Sequence, residues 1–215
     1  MAVGFKTLEL TSTGNNNVAV GNNAFRTNQS GSGNTAVGTG ADVSAAGLSN
    51  ATALGFGAIV NASNKVRIGN ASVTVIEGQV PFTTPSDGRF KFNVREDVRG
   101  IDFIMLLRPV SYQFDVKNFD HVNSAGNIAY VNNDQYSSAE LIRRTGFIAQ
   151  EVEDAAVKSG FEFSGIVRPG SSDDHYGLSY ETFVVPLVKA VQEQQKMIES
   201  LKKEIEELKK ERKVN

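Results

Sequence analysis

The sequence changes character at Thr84-Pro85-Ser86-Asp87-Gly88-Arg89-Phe90-Lys91, a stretch that we call the seam. On its N-terminal side lies a Gly- and Asn-rich region with few charges. The only ionisable side chains among residues 1–60 are Lys6, Glu9, Arg26 and Asp42. On its C-terminal side, the sequence is typical of a compact α+β region that continues into a helix rich in Lys and Glu. Such uneven charge predicts a chain built from physically different parts.

Apolar triplets recur on the N-terminal side of the seam, at Ala2–Gly4, Ala19–Gly21, Ala36–Gly38 and Ala53–Gly55. Their glycines stand at positions 4, 21, 38 and 55, so each interval is 17 residues. A fixed period of this size predicts a solenoid or fibre in which each unit buries its face against the next. A disordered linker is the alternative, but a linker does not keep register over successive units. We therefore expect residues 1–61 to form a β-repeat fibre, either a β-roll or an interwound triple β-structure.

Other positions of the repeat are also regular. An alanine lies three residues after each of the last three glycines, at Ala24, Ala41 and Ala58. The units open with Asn17, Asn34 and Ala51. Gly and Asn tolerate the positive φ angles that tight turns need. The repeats resemble the head repeats of trimeric adhesins and phage fibre shafts. Because the first unit starts at its own middle, we expect the chain to be the C-terminal piece of a longer protein.

The period ends in residues 62–85. Asn64–Asn70 and Ser72–Ile76 alternate in character, which predicts two strands joined by a Gly-Asn turn that close the repeat as a cap. Pro81–Pro85 is expected to be a stiff, extended connector.

Beyond the seam, helical spacing predicts a helix from Val98 to Leu107, which Pro109 ends. A strand is expected at Val110–Phe114, and a polar excursion or long loop over 117–138. Gly146–Val152 should lead from a short strand into a helix that ends near residue 158. Tyr176–Tyr180 is expected to be a brief strand or turn.

Residues 184–215 carry a heptad of apolar positions, which predicts a long coiled-coil helix. Its core positions, interrupted by the polar Gln194, are Val184, Leu187, Val191, Gln194, Ile198, Leu201, Ile205 and Leu208, followed by Arg212. Glu204 and Lys209 occupy flanking positions where ion pairs form between chains. Ile and Leu in these places favour a dimer by the general rule, whereas the resemblance described next implies a trimer.

Four motifs occur in a fixed order: Ser86–Lys91, Leu106–Tyr112, Gly146–Val152 and the helix from Tyr180 to Glu193. Together they resemble the endosialidase-type intramolecular chaperone, the self-cleaving C-terminal serine peptidase domain of phage tailspikes and tail fibres. The resemblance implies an α+β chaperone domain over 86–183, followed by the coiled coil. It also implies a homotrimer whose chaperone assembles a β-rich fibre and then cuts itself off before the serine.

In that family pattern Ser86 is the nucleophile that attacks the carbonyl of Pro85, and Lys91 is the base, which makes the chain a self-cleaving serine endopeptidase acting once. A lysine has an ordinary pKa of about 10.4, so burial or a neighbouring cation must lower that value before it can act as a base. Arg89 is a candidate for such a neighbour, and we expect Asp87 to pair with Arg89 or to cap a turn. If the seam were extended, Ser86 and Lys91 would point to opposite faces. The dyad therefore requires a turn at Gly88 or a lysine from another subunit.

Alternative functions remain open: an uncleaved, adhesive fibre tip, or a trimerisation tag with an inert seam. His121 and His175 are expected to lie in polar loops and to be solvated rather than catalytic. Ser172-Asp173-Asp174-His175 could hold a cation, but this stretch lacks the regular ligand spacing of a calcium loop.

Composition limits the partners. The 215 residues include 22 Lys+Arg and 24 Asp+Glu, a net charge of −2, which gives no electrostatic reason to expect nucleic acid or an anionic membrane. No apolar run is long enough to span a membrane, and the N-terminus has no secretion-signal pattern. Cysteine is absent, and neither a zinc pattern nor a phosphate loop is present, so we expect no metal and no cofactor.

The expected partners are two further copies of the chain and a cell-surface receptor or glycan bound through the fibre. The expected location is a virion tail fibre or the extracellular part of a bacterial phage-tail-like device.

Overall fold

A computed structural model describes residues 1–124, 133–171 and 174–214. The strands, in chain order, are β1 (Ala2–Val3), β2 (Val18–Val20), β3 (Thr35–Val37), β4 (Asp42–Val43), β5 (Thr52–Leu54), β6 (Ile59–Val60), β7 (Val66–Ile68), β8 (Val110–Gln113), β9 (Arg143–Gly146), β10 (Ile166–Val167) and β11 (Gly177–Leu178). The α-helices are α1 (Ile101–Ile104), α2 (Val116–Asn123), α3 (Asn133–Glu140), α4 (Ala149–Ser159) and α5 (Val184–Val214). Short 3-10 helices span Gly88–Phe90 and Tyr180–Phe183.

These elements divide into two compact units, each made of several chain segments. The first unit comprises Met1–Pro81, Ser111–Arg144 and Pro169–His175, and the second comprises Phe82–Val110, Thr145–Arg168 and Tyr176–Asn215. Their extents differ from the sequence-based segments 1–61, 62–85, 86–183 and 184–215, because two segments beyond the seam pack with the repeat. The functions assigned to those segments remain predictions.

The N-terminal repeat is a parallel β-solenoid. One sheet has the order β1-β2-β3-β5-β7, and β4 pairs with β6 in a second sheet. Ala2 pairs with Ala19, Ala19 with Ala36, and Ala36 with Ala53, so the 17-residue period is confirmed as one coil. In the last step Ala53 pairs with Arg67, and the coil shortens to 14 residues, the difference between these positions. All these pairings lie within one chain.

Small residues make this stacking possible. Ala19, Ala36 and Ala53 are fully buried in the solenoid core. Gly38 has a φ of +133°, and a Cβ there would lie 2.5 Å from the backbone oxygen of Gly55 in the next coil. Only glycine adopts this conformation at so close an approach.

Asparagine side chains connect one coil to the next. The Asn17 Oδ1 accepts a hydrogen bond from the backbone N–H of Asn34 at 2.9 Å, and the Asn34 Oδ1 accepts one from Ala51 at 2.9 Å. Asn34 is fully buried, and its amide nitrogen donates to the Leu48 carbonyl at 2.6 Å. Asn17 and Asn34 therefore satisfy buried backbone groups that would otherwise lack partners.

The predicted second strand of the cap is wrong. β7 forms, but Ser72–Ile76 is not a strand. The Asn70 Oδ1 accepts from the Ser72 N–H at 3.0 Å, and the Asn70 carbonyl accepts from Val73 at 3.2 Å. This local turn takes the backbone away from the sheet, and Val75 and Ile76 remain exposed.

The loop predicted over 117–138 is also wrong where the structure describes it, because α2 and α3 occupy much of it. Asp115 caps α2 by accepting from the Asn118 N–H at 2.9 Å, and Val116 and Asn123 are buried. A capped helix forms here despite a polar composition, since its N-cap and its buried side chains compensate for weak propensity. The part of the predicted loop at 125–132 lies outside the described residues.

The second unit is built around phenylalanines. Phe103 in α1 is fully buried, and its ring centroid lies 5.3 Å from that of Phe161 and 5.0 Å from that of Phe163. Phe183 packs against Phe163 at 4.7 Å. α1 spans four residues and is shorter than the predicted helix, while β8, α4, β11 and α5 match the predicted elements.

α5 spans 31 residues, as the heptad predicted, and its apolar positions are exposed in the single chain. Those that are between 45% and 63% exposed include Leu187, Val191, Ile198, Leu201, Ile205 and Leu208.

Candidate functional site

The seam folds into a tight turn. Residues 88–90 form one turn of 3-10 helix, in which the Phe90 N–H donates to the Asp87 carbonyl at 3.1 Å and the Lys91 N–H donates to the Gly88 carbonyl at 3.2 Å. Asp87 occupies the N-cap, where its Oδ1 accepts from the Arg89 N–H at 2.9 Å. A short side chain that accepts at this position stabilises the start of a helical turn.

This turn brings the predicted dyad together. The Lys91 Nζ donates a hydrogen bond to the Ser86 Oγ at 2.7 Å. An extended seam would have separated these side chains, so the turn at Gly88 is what allows the contact within one chain. The distance lies in the range from which a base removes a proton.

Asp87 and Arg89 form an ion pair beside the dyad. The Arg89 Nε and one terminal nitrogen donate to the Asp87 Oδ2 at 2.9 Å and 2.6 Å. The Arg89 side chain, and then its backbone N–H, hold the pKa of Asp87 below its ordinary value, and the same pair raises the pKa of Arg89. Asp87 is thus both a cap and a partner of Arg89, and its charge is directed at the guanidinium.

The seam is open to solvent in the single chain. Residues 81–97 are all exposed. Phe82 is 92% exposed, Phe90 80% and Phe92 89%, so three large aromatic side chains flank the Pro85–Ser86 bond without cover. Exposed apolar side chains at this density are typical of a surface that another chain covers.

Three other motifs meet in the second unit, through contacts that pattern reasoning missed. The Arg108 guanidinium lies 2.5 Å from the Glu151 Oε1, and the Tyr180 hydroxyl accepts from the Phe147 N–H at 3.0 Å. The Glu193 Oε2 of α5 accepts from the Ile101 N–H at the start of α1 at 2.8 Å. The sequence gives only a weak signal for these contacts, because each depends on a single polar residue beside an apolar motif.

Residues 86–161 match the family model for the chaperone of endosialidase. The match begins at Ser86 and includes Ser86–Lys91 of the seam, Arg108 and Glu151, and the resemblance is confirmed over these residues. A search of curated proteins found no match to the chain.

The other candidate residues lie outside the seam. His121 is exposed and belongs to α2 rather than to a loop. His175 is partly buried rather than solvated, with its ring 4.6 Å from that of Phe119. Burial, and then the charge of Lys65, lower its pKa.

The structure also bears on the acidic residues 172–175 beyond the chaperone match. Asp174 binds the Lys65 ammonium at 2.9 Å, so that carboxylate already has a cation. Ser172 and Asp173 lie outside the described residues. In the described part of the chain, His, Asp and Glu form no group of three that could hold a metal ion.

Within residues 1–124, 133–171 and 174–214, no helix combines the length and the apolar character needed to cross a membrane.

Proposed function

We propose that the residues from Ser86 onward act as an intramolecular chaperone, which assembles the repeat into a trimeric fibre and then cuts the Pro85–Ser86 bond. The family match supports a chaperone role in the assembly of a phage tail fibre. The observation that carries the self-cleavage is the 2.7 Å hydrogen bond between Lys91 and Ser86, at the first residue of that match.

The chemistry follows from the position of Ser86. When its Oγ attacks the Pro85 carbonyl carbon, a five-membered ring closes through the Oγ, Cβ, Cα and N of Ser86, and the hydroxyl proton passes to the Lys91 amine. The C–N bond then breaks, which leaves an ester on the Oγ, and Lys91 returns the proton to the freed α-amino nitrogen. Water hydrolyses the ester to the Pro85 carboxylate and regenerates the Ser86 hydroxyl.

Assembly supplies a condition that the single chain lacks. A lysine gives up its proton near neutral pH only when it is desolvated or placed beside another cation. Since the seam is exposed and is flanked by three uncovered phenylalanines, we propose that neighbouring chains cover it in the trimer. Cleavage then follows assembly and does not precede it.

The trimer is proposed to form through α5. A helix of this length that buries little of its own apolar face needs partners, and its heptad positions are about half exposed. A clamp that brings three chains into register reduces the entropy cost of pairing distant segments, and cleavage afterwards makes the product kinetically trapped. The product would serve as a virion tail fibre or as part of a phage-tail-like device.

Intact mass after expression and one day at 37 °C tests this function. We expect two masses in the wild type, for residues 1–85 and 86–215, and one full-length mass in Ser86→Ala and in Lys91→Ala. Lys158→Ala is the matched control, because it removes an exposed lysine from α4 and should leave the two masses. A single full-length mass in every variant would instead support an uncleaved fibre tip with α5 as its trimer clamp.

A further inference from the structure

Part of the chain beyond the cleavage bond packs with the repeat. Residues 111–144 and 169–175 belong to the same compact unit as residues 1–81. These segments follow Pro85–Ser86 in the chain, while the repeat precedes it. Hydrolysis of that bond therefore leaves a compact unit whose parts belong to two separate products.

The first contact between these parts is centred on Asp174. Its Oδ1 lies 2.9 Å from the Lys65 ammonium and 3.3 Å from the Asn61 amide nitrogen. Lys65 also donates to the Asn61 Oδ1 at 2.9 Å. The side chains of Lys65 and Asp174 are only 30% and 8% exposed. Burial raises the pKa of Asp174, but hydrogen bonds from Lys65 and from the Gly170 and His175 N–H groups lower it to about 2.

The second contact is centred on Arg67 in β7. Its guanidinium lies 3.7 Å from the Asp120 Oδ1 and 5.6 Å from the Phe119 ring centroid, so it faces both a carboxylate and an aromatic ring of α2. Nearby, the buried Asn123 donates from its amide nitrogen to the Ile59 carbonyl at 3.2 Å. The last two coils thus present Ile59, Asn61, Lys65 and Arg67 to side chains from beyond the seam.

We infer that these residues form a docking interface that holds the C-terminal product on the end of the repeat after Pro85–Ser86 is cut. The interface rests on the proposed self-cleavage for its biological use, but none of its contacts involves the scissile bond. The bond lies in an exposed connector, so cutting it removes none of these hydrogen bonds or ion pairs. Cleavage and release are then separate events, and release needs a further change that separates the interface.

The interface would also cap the last coil of the solenoid. The terminal coil of a repeat protein leaves one face without a stacking partner and needs a cap. Separation would break the part-buried ion pairs of Lys65 with Asp174 and Arg67 with Asp120, and the hydrogen bond from Asn123 to the Ile59 carbonyl. Retention therefore protects the last coil until another structure replaces the cap.

The test makes the cut independently of the seam chemistry. A recognition sequence for a specific protease is inserted between Phe82 and Pro85 in full-length Ser86→Ala, and the protein is cut and passed over a size-exclusion column at micromolar concentration. We expect both fragments to elute together and to appear as one complex by native mass spectrometry. Separation of the fragments on cutting would overturn the inference. A failure of self-cleavage alone would not affect this result.

Variants locate the interface. Lys65→Ala combined with Arg67→Ala should weaken the association of the cut fragments at least tenfold. Lys6→Ala combined with Arg26→Ala is the control, because it removes the same charges from the first coils and should leave the fragments bound. Asn123→Ala, which removes the hydrogen bond to the Ile59 carbonyl, should weaken the association by a smaller factor and guards against misfolding of the double variant. Unchanged association in both Lys65→Ala/Arg67→Ala and Asn123→Ala would show that this surface does not hold the products.

Discussion

At the scale of single residues, Asp87 controls the seam through two separable contacts. Its Oδ1 caps the turn, and its Oδ2 binds Arg89. Asp87→Ala removes both contacts and should slow self-cleavage by roughly five- to tenfold, because a turn without its N-cap forms less often. Asp87→Ser keeps a capping oxygen without the charge and should cut at close to the wild-type rate. Both rates are measured from intact masses over time, and equal slowing would assign the effect to the Arg89 ion pair.

Asp42 is a carboxylate buried inside the solenoid, and its raised pKa predicts that the stability of the repeat depends on pH. It is 4% exposed, and burial raises its pKa to about 6 even though hydrogen bonds from Thr27 and from the Val43 and Arg26 backbone oppose this. Because the folded pKa lies above the unfolded value of 3.8, the folded state binds the proton more tightly. The stabilising effect of that proton is complete below pH 4 and is lost as the pH rises through 6.

Asp42→Asn tests this dependence by calorimetric unfolding of the full chain. Between pH 7.5 and 4.5 the wild type should gain about 2 kcal/mol of stability relative to Asp42→Asn, which is most of the limit of about 3 kcal/mol that a pKa difference of about two units allows. Other titrating groups are common to both proteins and cancel in the difference. A difference that does not change with pH would contradict the raised pKa.

At the scale of elements, the coil of the solenoid depends on glycine at one repeated position. Gly38→Ala would place a Cβ 2.5 Å from the Gly55 oxygen at a φ of +133°, so it should destabilise the repeat by more than about 2 kcal/mol. Gly47→Ala is the control, since its Cβ would meet only the Ser30 Oγ at 3.4 Å and should change stability by less than about 0.5 kcal/mol. Thermal unfolding compares the two, and equal melting temperatures would refute the stacking argument.

The elements that could be predicted from sequence are those whose patterns repeat. The alanine and glycine positions recur at the coil length, and the heptad of α5 recurs every seven residues, so many weak signals add up. Ser72–Ile76 was wrongly predicted to be a strand. Its alternating pattern is typical of a half-buried strand, but the Asn70 side chain accepts from the Ser72 N–H and stabilises a turn instead. α2 was missed because it forms from eight largely polar residues, with Asp115 as its cap.

At the scale of the whole molecule, the assignment of distant chain segments to the same compact unit could not be predicted. Lys65 and Asp174 are 109 residues apart in the chain, and a contact at that separation leaves no local pattern. The seam was different, because Ser86, Asp87, Arg89 and Lys91 lie within six positions and the turn between them is set by neighbouring residues. The local contact between Lys91 and Ser86 was therefore foreseeable from the sequence, while the packing of distant segments was not.

We also predict that cleavage at the seam depends on assembly through α5. Ile198→Asn combined with Ile205→Asn places polar side chains in the exposed apolar face of α5, and should shift the protein from the proposed trimer to a monomer in analytical ultracentrifugation. Lys203→Asn lies on the opposite face of the heptad and should leave the trimer intact. A dimer in the wild type would show that the Ile and Leu core follows the general rule instead.

The same double variant should also leave the chain uncut, although Ser86 and Lys91 are unchanged and lie 2.7 Å apart in the single chain. The reason lies in the proposed function, in which neighbouring chains of the trimer cover the exposed phenylalanines around the bond and desolvate the dyad. Intact mass of the variant monomer, beside wild type and Lys203→Asn at equal concentration, measures this. If the monomer cut itself at the wild-type rate, the dyad would be active without assembly, and cleavage could not report that a fibre is complete.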